Sequence, residues 1–148
     1  DTHVQGLDSM KNGFLPRWDL CYSALIEDLD QRGMLDTTMV VAWGEFGRTP
    51  RMNKEAGRDH YPNVFSAALA GGPVQGGRVV GSSDSKGAFP LDNPKSPQDV
   101  LATMYQHLGI DTERHYLDHG GRQGLATGAW KESWIHYNNT KKPVQFHT

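Results

Sequence analysis

The sequence lacks most of the features that assign a chain quickly to a class. It has one cysteine, Cys21, so no disulfide can form within it. A single thiol leaves the compartment open, because many exported bacterial proteins also lack disulfides. No apolar run approaches eighteen residues, which excludes a membrane-spanning helix. Charge is nearly balanced: 15 Lys and Arg stand against 17 Asp and Glu, a formal −2 with seven His counted as neutral. A protein built to grip nucleic acid or an anionic membrane carries an excess of positive charge, so neither partner is expected. No Gly-x-Ser-x-Gly elbow surrounds Ser82, Ser83 or Ser85. No Gly-Lys-Ser/Thr follows Gly71-Gly72 or Gly76-Gly77, so there is no phosphate loop. The chain opens on Asp1-Thr2-His3 rather than Met, and no charged start leads into an apolar stretch, so no signal peptide is expected within it.

What is present is glycine and proline, 17 and 8 of 148 residues, well above the average share of roughly 12%. Much of the chain is therefore expected to be loop. Between the loops the apolar pattern marks a few elements. Leu15 to Arg32 reads as a helix, with Leu20, Leu25, Ile26 and Leu29 as its stripe, Pro16 in its first turn and Gly33 past its end. Cys21, Trp18 and, further on, Trp43 read as core. Met39 to Trp43 is apolar without alternation, the pattern of a strand covered on both faces, as in a parallel sheet. Val64 to Ala70 reads as a second strand, Gly76 to Gly81 as a short hairpin strand, and Ser82 to Pro94 as loop. Ser96-Pro97-Gln98-Asp99 opens the clearest helix, which Gly109 ends, with Ser96 as its cap and Asp99 complementing the exposed amides. His107 is expected to face solvent on that helix. Beyond about Gly120 the pattern fades. Helices alternating with apolar strands make an α/β chain, and in such folds ligands sit where loops leave the strand ends.

The chemistry-bearing residues gather in three short stretches: Asp1-Thr2-His3, Glu45 with Arg48, and Arg58-Asp59-His60. Asp, Glu and His form the ligand set for zinc, manganese or a similar divalent ion. Guanidinium is a bidentate partner for phosphate or sulfate oxygens, which makes Arg48 and Arg58 candidates for binding a charged ester. Plainer readings stand beside these. Glu45 and Arg48 can form an ion pair within one turn. Arg58 can be a surface charge, and Asp59 and His60 can be solvated loop residues.

The run Val40-Val41-Ala42-Trp43-Gly44-Glu45-Phe46-Gly47-Arg48-Thr49-Pro50, with Gly57-Arg58-Asp59-His60-Tyr61-Pro62-Asn63, resembles the C-terminal part of the bacterial domain of unknown function 1501 family. Asp1-Thr2-His3 resembles the last three residues of that family's Trp-Asp-Thr-His stretch. Ala70-Gly71-Gly72 and the Ser96 to Gly109 helix match in order and spacing. The resemblance covers residues 1–118 and leaves 119–148 as a poorly patterned tail.

The family is similar to the alkaline phosphatase and sulfatase superfamily. That resemblance implies an α/β sandwich with a mostly parallel central sheet. It implies divalent metal at the strand ends, most often zinc or manganese, with calcium or magnesium as harder alternatives. By the same resemblance Asp1, His3, Glu45 and His60 correspond to metal ligands; in a hydrolase built on them, Arg48 or Arg58 would neutralise the charge of a phosphoryl or sulfuryl group. Asp59 would orient His60. The substrate class implied is a small-molecule or glycan ester of sulfate or phosphate, hydrolysed outside the cytoplasm of a bacterium. The superfamily's nucleophile lies nearer the N-terminus, which leads to the expectation that this chain is a C-terminal portion.

Two departures stand out. The pair here is Asp-x-His where Asp-x-x-x-His is common, and Glu45-Phe46 stands where Asp-His is usual. The second favours an alternative, a catalytically silent binding or structural module, for example for surface glycans. A third reading is a small independent α/β domain.

Overall fold

The computed structural model describes residues 2–125; residues 1 and 126–148, with Asp1, Trp130 and Trp134 among them, lie outside the described residues. Helix and strand both occur, so the chain is of mixed α and β type.

The first helical stretch begins earlier than Leu15. Helix α1 (Gly6–Ser9) leads through a wide π-helical turn (Met10–Phe14) into α2 (Leu15–Gln31). Pro16 has no N–H, so the Asn12 carbonyl has no α-helical donor above it, and the wider turn just before Pro16 accommodates that gap. Gly33 ends the helix at φ +68°, a conformation open to glycine. Leu29 is buried, but the expected burial of the rest of this helix does not follow. Trp18 is 48% exposed and stacks on Tyr22, with ring centroids 4.9 Å apart. Cys21 is exposed rather than in a core. A helical stripe buries only what another element covers, and α2 is covered along a short part of its length.

Strand β1 (Met39–Trp43) is followed by two two-residue strands, β2 (Gly47–Arg48) and β3 (His60–Tyr61), and then by β4 (Ala67–Gly71). β1 pairs with β4 antiparallel, from Met39 opposite Gly71 to Trp43 opposite Ala67. An unalternating apolar run reports that both faces are apolar; it carries no information on strand direction. All the described pairs are antiparallel and two-stranded. Trp43 ends β1 at 42% exposure, so it too is not core.

β4 closes onto the turn that precedes β1. The Gly72 amide donates to the Leu35 carbonyl at 2.7 Å, and Gly71 has φ +72°. A Cβ on Gly71 would stand 2.2 Å from the Thr38 oxygen, so only glycine fits. His107 is half-buried rather than solvent-facing, because its ring lies over Gly72, where a Cβ would be 2.9 Å from His107 Cε1.

The strand expected at Gly76 to Gly81 lies slightly later. β5 (Ser82–Ser83) pairs with β6 (Pro90–Asp92), within the stretch expected to be loop. The reason is Asp84, whose Oδ1 accepts from the amides of Lys86 at 3.1 Å and Ala88 at 2.7 Å and so makes the turn. Helix α3 (Pro97–His107) forms as the sequence predicts. Ser96 Oγ accepts from the Asp99 amide, and Asp99 Oδ2 accepts from the Ser96 amide at 2.7 Å. Val100, Ala102 and Thr103 are buried, and Thr103 Oγ1 donates to the Asp99 carbonyl. A last hairpin, β7 (His115–Leu117) with β8 (Gln123–Leu125), turns at Asp118 and straddles the expected boundary after 118.

Two outcomes follow from these elements. Replacing Ser96 by Ala removes the cap and should destabilise the protein by about 1 kcal/mol in chemical denaturation. The amides of Ala88 and Lys86 hold the Asp84 carboxyl below its ordinary value of 3.8. A depressed folded-state value means the hairpin's stabilisation is present above pH 3.8 and is lost as pH falls through the lower folded-state value. The Ala88 amide proton shift should therefore titrate with a midpoint below 3.8, and should not do so in Asp84→Ala.

Candidate functional site

The site is built where β1 ends. The chain leaves Trp43 through Gly44-Glu45-Phe46, enters β2, loops through residues 49–59 and returns as β3. Gly47 faces Tyr61 and Arg48 faces His60 across the two short strands. A Cβ on Gly47 would be 1.9 Å from the Val64 carbonyl oxygen, so the approach of that backbone requires glycine.

Residues 2–6 lie along the 49–59 loop. The Arg58 amide donates to Thr2 O at 2.9 Å, the Gln5 amide to Glu55 O at 2.8 Å, and the Gly6 amide to Ala56 O at 3.0 Å. Val4 and Ala56 form an antiparallel bridge. The junction is closed by Asn53. Its Nδ2 donates to His3 O at 2.9 Å and to Asp59 Oδ1 at 3.0 Å. Its Oδ1 accepts from the amides of Glu55 at 3.0 Å and Gly57 at 2.9 Å. One amide side chain thus ties the N-terminal segment, the loop and the start of β3. Gly57 is buried against this segment, and a Cβ there would be 1.9 Å from His3 O.

The result is a group of four side chains. The His3 and His60 ring centroids are 4.7 Å apart, and the Phe46 ring lies 4.1 Å from that of His60. Arg48 Cζ is 5.8 Å from the Phe46 ring centre, and its Nη1 is 3.2 Å from His3 Nε2. Arg48 Nη1 also donates to Arg58 O at 3.4 Å. A guanidinium only donates, so the contact is a hydrogen bond when His3 Nε2 accepts. Thr2, beside His3, has a buried Oγ1 with no hydrogen-bond partner among the described residues.

Of the residues singled out in the sequence, His3, Arg48 and His60 come together. Arg58 takes a different position: its Nη1 donates to the carbonyls of Thr49 at 2.6 Å and Pro50 at 2.7 Å, which holds the loop. Asp59 is engaged through Oδ1 by Asn53, and its amide donates to Thr49 Oγ1. Glu45 is exposed in the bend after β1. Asp1 lies outside the described residues. Among the described residues no three His, Cys, Asp or Glu side chains gather as a metal cluster.

A model of the family described as "Protein of unknown function (DUF1501)" matches residues 1–136. The chain belongs to this family. No curated protein and no solved structure matches it. The family match continues past Asp118, where the sequence resemblance stops, and spans every residue of the site.

In this DUF1501 protein the sequence reading missed Asn53, Phe46 as a ring partner, and Gly57 as a contact. The signal for Asn53 was present in kind, since Asn before a Gly-containing turn commonly bonds to nearby amides. Its bond to His3 O, fifty residues away in sequence, leaves no trace in the local pattern. Asn53→Asp puts a carboxylate where two acceptors, His3 O and Asp59, need a donor. That variant should lose about 1–3 kcal/mol in chemical denaturation. Gly57→Ala should displace residues 2–3 and abolish the His3–Arg48 contact, read as a shift of the His3 ring resonances.

Proposed function

We propose that this chain is part of a metal-dependent hydrolase of sulfate or phosphate esters. Its fold would be that of the alkaline phosphatase and sulfatase type, with a mostly parallel central sheet, and it would work outside the cytoplasm. The observation that carries this reading is the meeting of His3, Arg48 and His60 from three separate segments. Two imidazoles in ring contact supply two of the donors that a divalent ion needs, and among the described residues no third His, Cys, Asp or Glu joins them. His3 and His60, with the carboxylates of Asp1 and Glu45, would hold zinc or manganese there. When bound, such an ion polarises an ester oxygen and stabilises charge on the attacking or leaving oxygen.

The chain's own residues supply the rest. Arg48 binds the oxyanion, because its fork stands beside the two imidazoles. Arg58 is the weaker candidate for that role, since its Nη1 hydrogen-bonds hold the loop. Asn53 sets the position of His3 through its backbone, and Asp59, the next residue to His60, is held by the same amide. The Phe46 ring packs against His60, which is otherwise exposed.

A second reading has its own support. Arg48 Nη1 already stands on His3 Nε2, the nitrogen an ion would need. That arrangement favours a metal-free module binding sulfated or other surface glycans through Arg48. The discriminating measurement is metal content of the full-length natural protein, together with turnover of aryl sulfate and aryl phosphate esters. On the hydrolase reading, His60→Ala and Glu45→Ala each lower bound zinc or manganese and reduce turnover about tenfold or more. Unchanged metal stoichiometry in both variants rejects the ligand assignment. A folded, metal-free protein that retains sulfated glycan supports the second reading.

A further inference from the structure

We propose that the exposed apolar seam of α2 pairs antiparallel with the same seam on a second copy of this chain. The pairing does not depend on the chemistry at the imidazoles.

Phe14, Trp18, Cys21 and Leu25 follow one another at intervals of four, three and four residues. At 3.6 residues per turn these intervals keep them on one face, the pattern of a seam between two helices. Such a stripe ordinarily faces a core. Here Phe14 is 47% exposed, Trp18 48% and Leu25 45%, and Cys21 is exposed as well. Leu15 and Tyr22, one residue after Phe14 and Cys21, widen the stripe, and Trp18 stacks on Tyr22 of its own helix. The chain's own cover begins only at the buried Leu29, whose carbonyl accepts from the amides of Met34 and Leu35 as the chain turns back. Among the described residues, the extensive contacts of α2 are with the π-helical turn that it continues. A contiguous exposed apolar stripe of this kind marks an interaction surface.

The ends of the seam select its occupant. Lys11 stands three residues before Phe14, in the π-helical turn, and Asp28 stands three after Leu25. Positions 11, 14, 18, 21, 25 and 28 therefore have the same intervals read in either direction. A second copy laid antiparallel sets Phe14 against Leu25, Trp18 against Cys21 and Lys11 against Asp28. About a two-fold axis each pairing occurs twice. Each ring then meets a smaller side chain, and opposite charges meet at both ends. Laid parallel, the same seam sets Lys11 against Lys11 and Asp28 against Asp28, which repel. Asp28 accepts from Arg32 Nε at 2.8 Å, and its side chain remains 53% exposed, within reach of Lys11 of the second copy. Leu20, two residues past Trp18, lies on the opposite face with Ser23 and Glu27 and takes no part.

The test uses the full-length natural protein. Sedimentation equilibrium should show a monomer–dimer equilibrium. Phe14→Glu and Leu25→Glu should each weaken dimerisation about tenfold or more, and Leu20→Glu should leave it unchanged. Lys11→Glu should weaken it about fivefold, and adding Asp28→Lys should restore it. These two charge changes lie on the surface and serve if the seam variants fail to fold. Disulfide trapping reads the register. Phe14→Cys with Leu25→Cys, in a Cys21→Ser background, should give a covalent dimer on oxidation. Positions 14 and 25 are about 16 Å apart along one helix, too far to bridge within a chain, so the bond reports the second copy. Phe14→Cys alone in that background should give no covalent dimer. A monomer at all concentrations overturns the proposal and leaves the seam to another segment or partner. A dimer that survives Phe14→Glu and Leu25→Glu overturns it by placing the interface elsewhere. A covalent dimer from Phe14→Cys alone overturns the antiparallel pairing.

Discussion

The arrangement at this site depends on one side-chain amide. Asn53 has acceptors on its nitrogen side, His3 O and Asp59 Oδ1, and donors on its oxygen side, the amides of Glu55 and Gly57. No other residue type presents two donors and an acceptor oxygen with two lone pairs at this reach, apart from the longer glutamine. Because all four contacts are made, the half-buried amide contributes stabilisation rather than a desolvation penalty. Remove it and the N-terminal segment loses a cross-link to the loop, His3 loses its tether, and the ring contact with His60 has less to support it.

The two arginines show how backbone position decides a side chain's use. Both lie in Gly-Arg pairs, Gly47-Arg48 and Gly57-Arg58, and both looked equally suited to bind an anion. Arg48 sits in a strand opposite His60, which brings its guanidinium to the imidazoles. Arg58 follows the buried Gly57, donates its amide to Thr2 O, and sends its side chain back to two carbonyls of its own loop. One guanidinium therefore stands on a side chain that a ligand could take over, and the other satisfies backbone groups that the loop would otherwise leave unpaired.

What could be read from the sequence was what is local. The cap of α3 needs only Ser96 and Asp99, three residues apart, and forms as expected. Gly33 and Gly109, at φ +68° and +72°, end their helices for the same local reason. Burial was less legible. Trp18, Cys21 and Trp43 are apolar by type, but burial depends on what covers them, and that is a property of other segments. Strand direction at β1 was likewise invisible, because apolar content on both faces is compatible with either direction. At the site, the three stretches dense in charge were found, since loops after strands and titratable residues are sequence features. Their grouping into His3, Arg48 and His60, with Arg58 turned to the loop, came from hydrogen bonds spanning up to fifty residues.

Burial is sparse in the described structure, and part of it adjoins the site. The buried positions are Gly6, Leu29, Gly57, Pro73, Val100, Ala102 and Thr103, and among them the two glycines meet at the site. A Cβ on Gly6 would be 3.4 Å from Gly57 Cα and 3.4 Å from Thr2 Cβ, so the two segments pack closely there. Leu20 and Val79, by contrast, are 70% and 95% exposed. A large apolar core orders its neighbours through many weak contacts that tolerate small shifts. Here the order comes from glycine contacts and directional hydrogen bonds, which allow one separation and little else. The imidazoles and the guanidinium are therefore positioned by a short polar framework of their own, set by Asn53 and Gly57, and that framework is what a ligand at this site would meet.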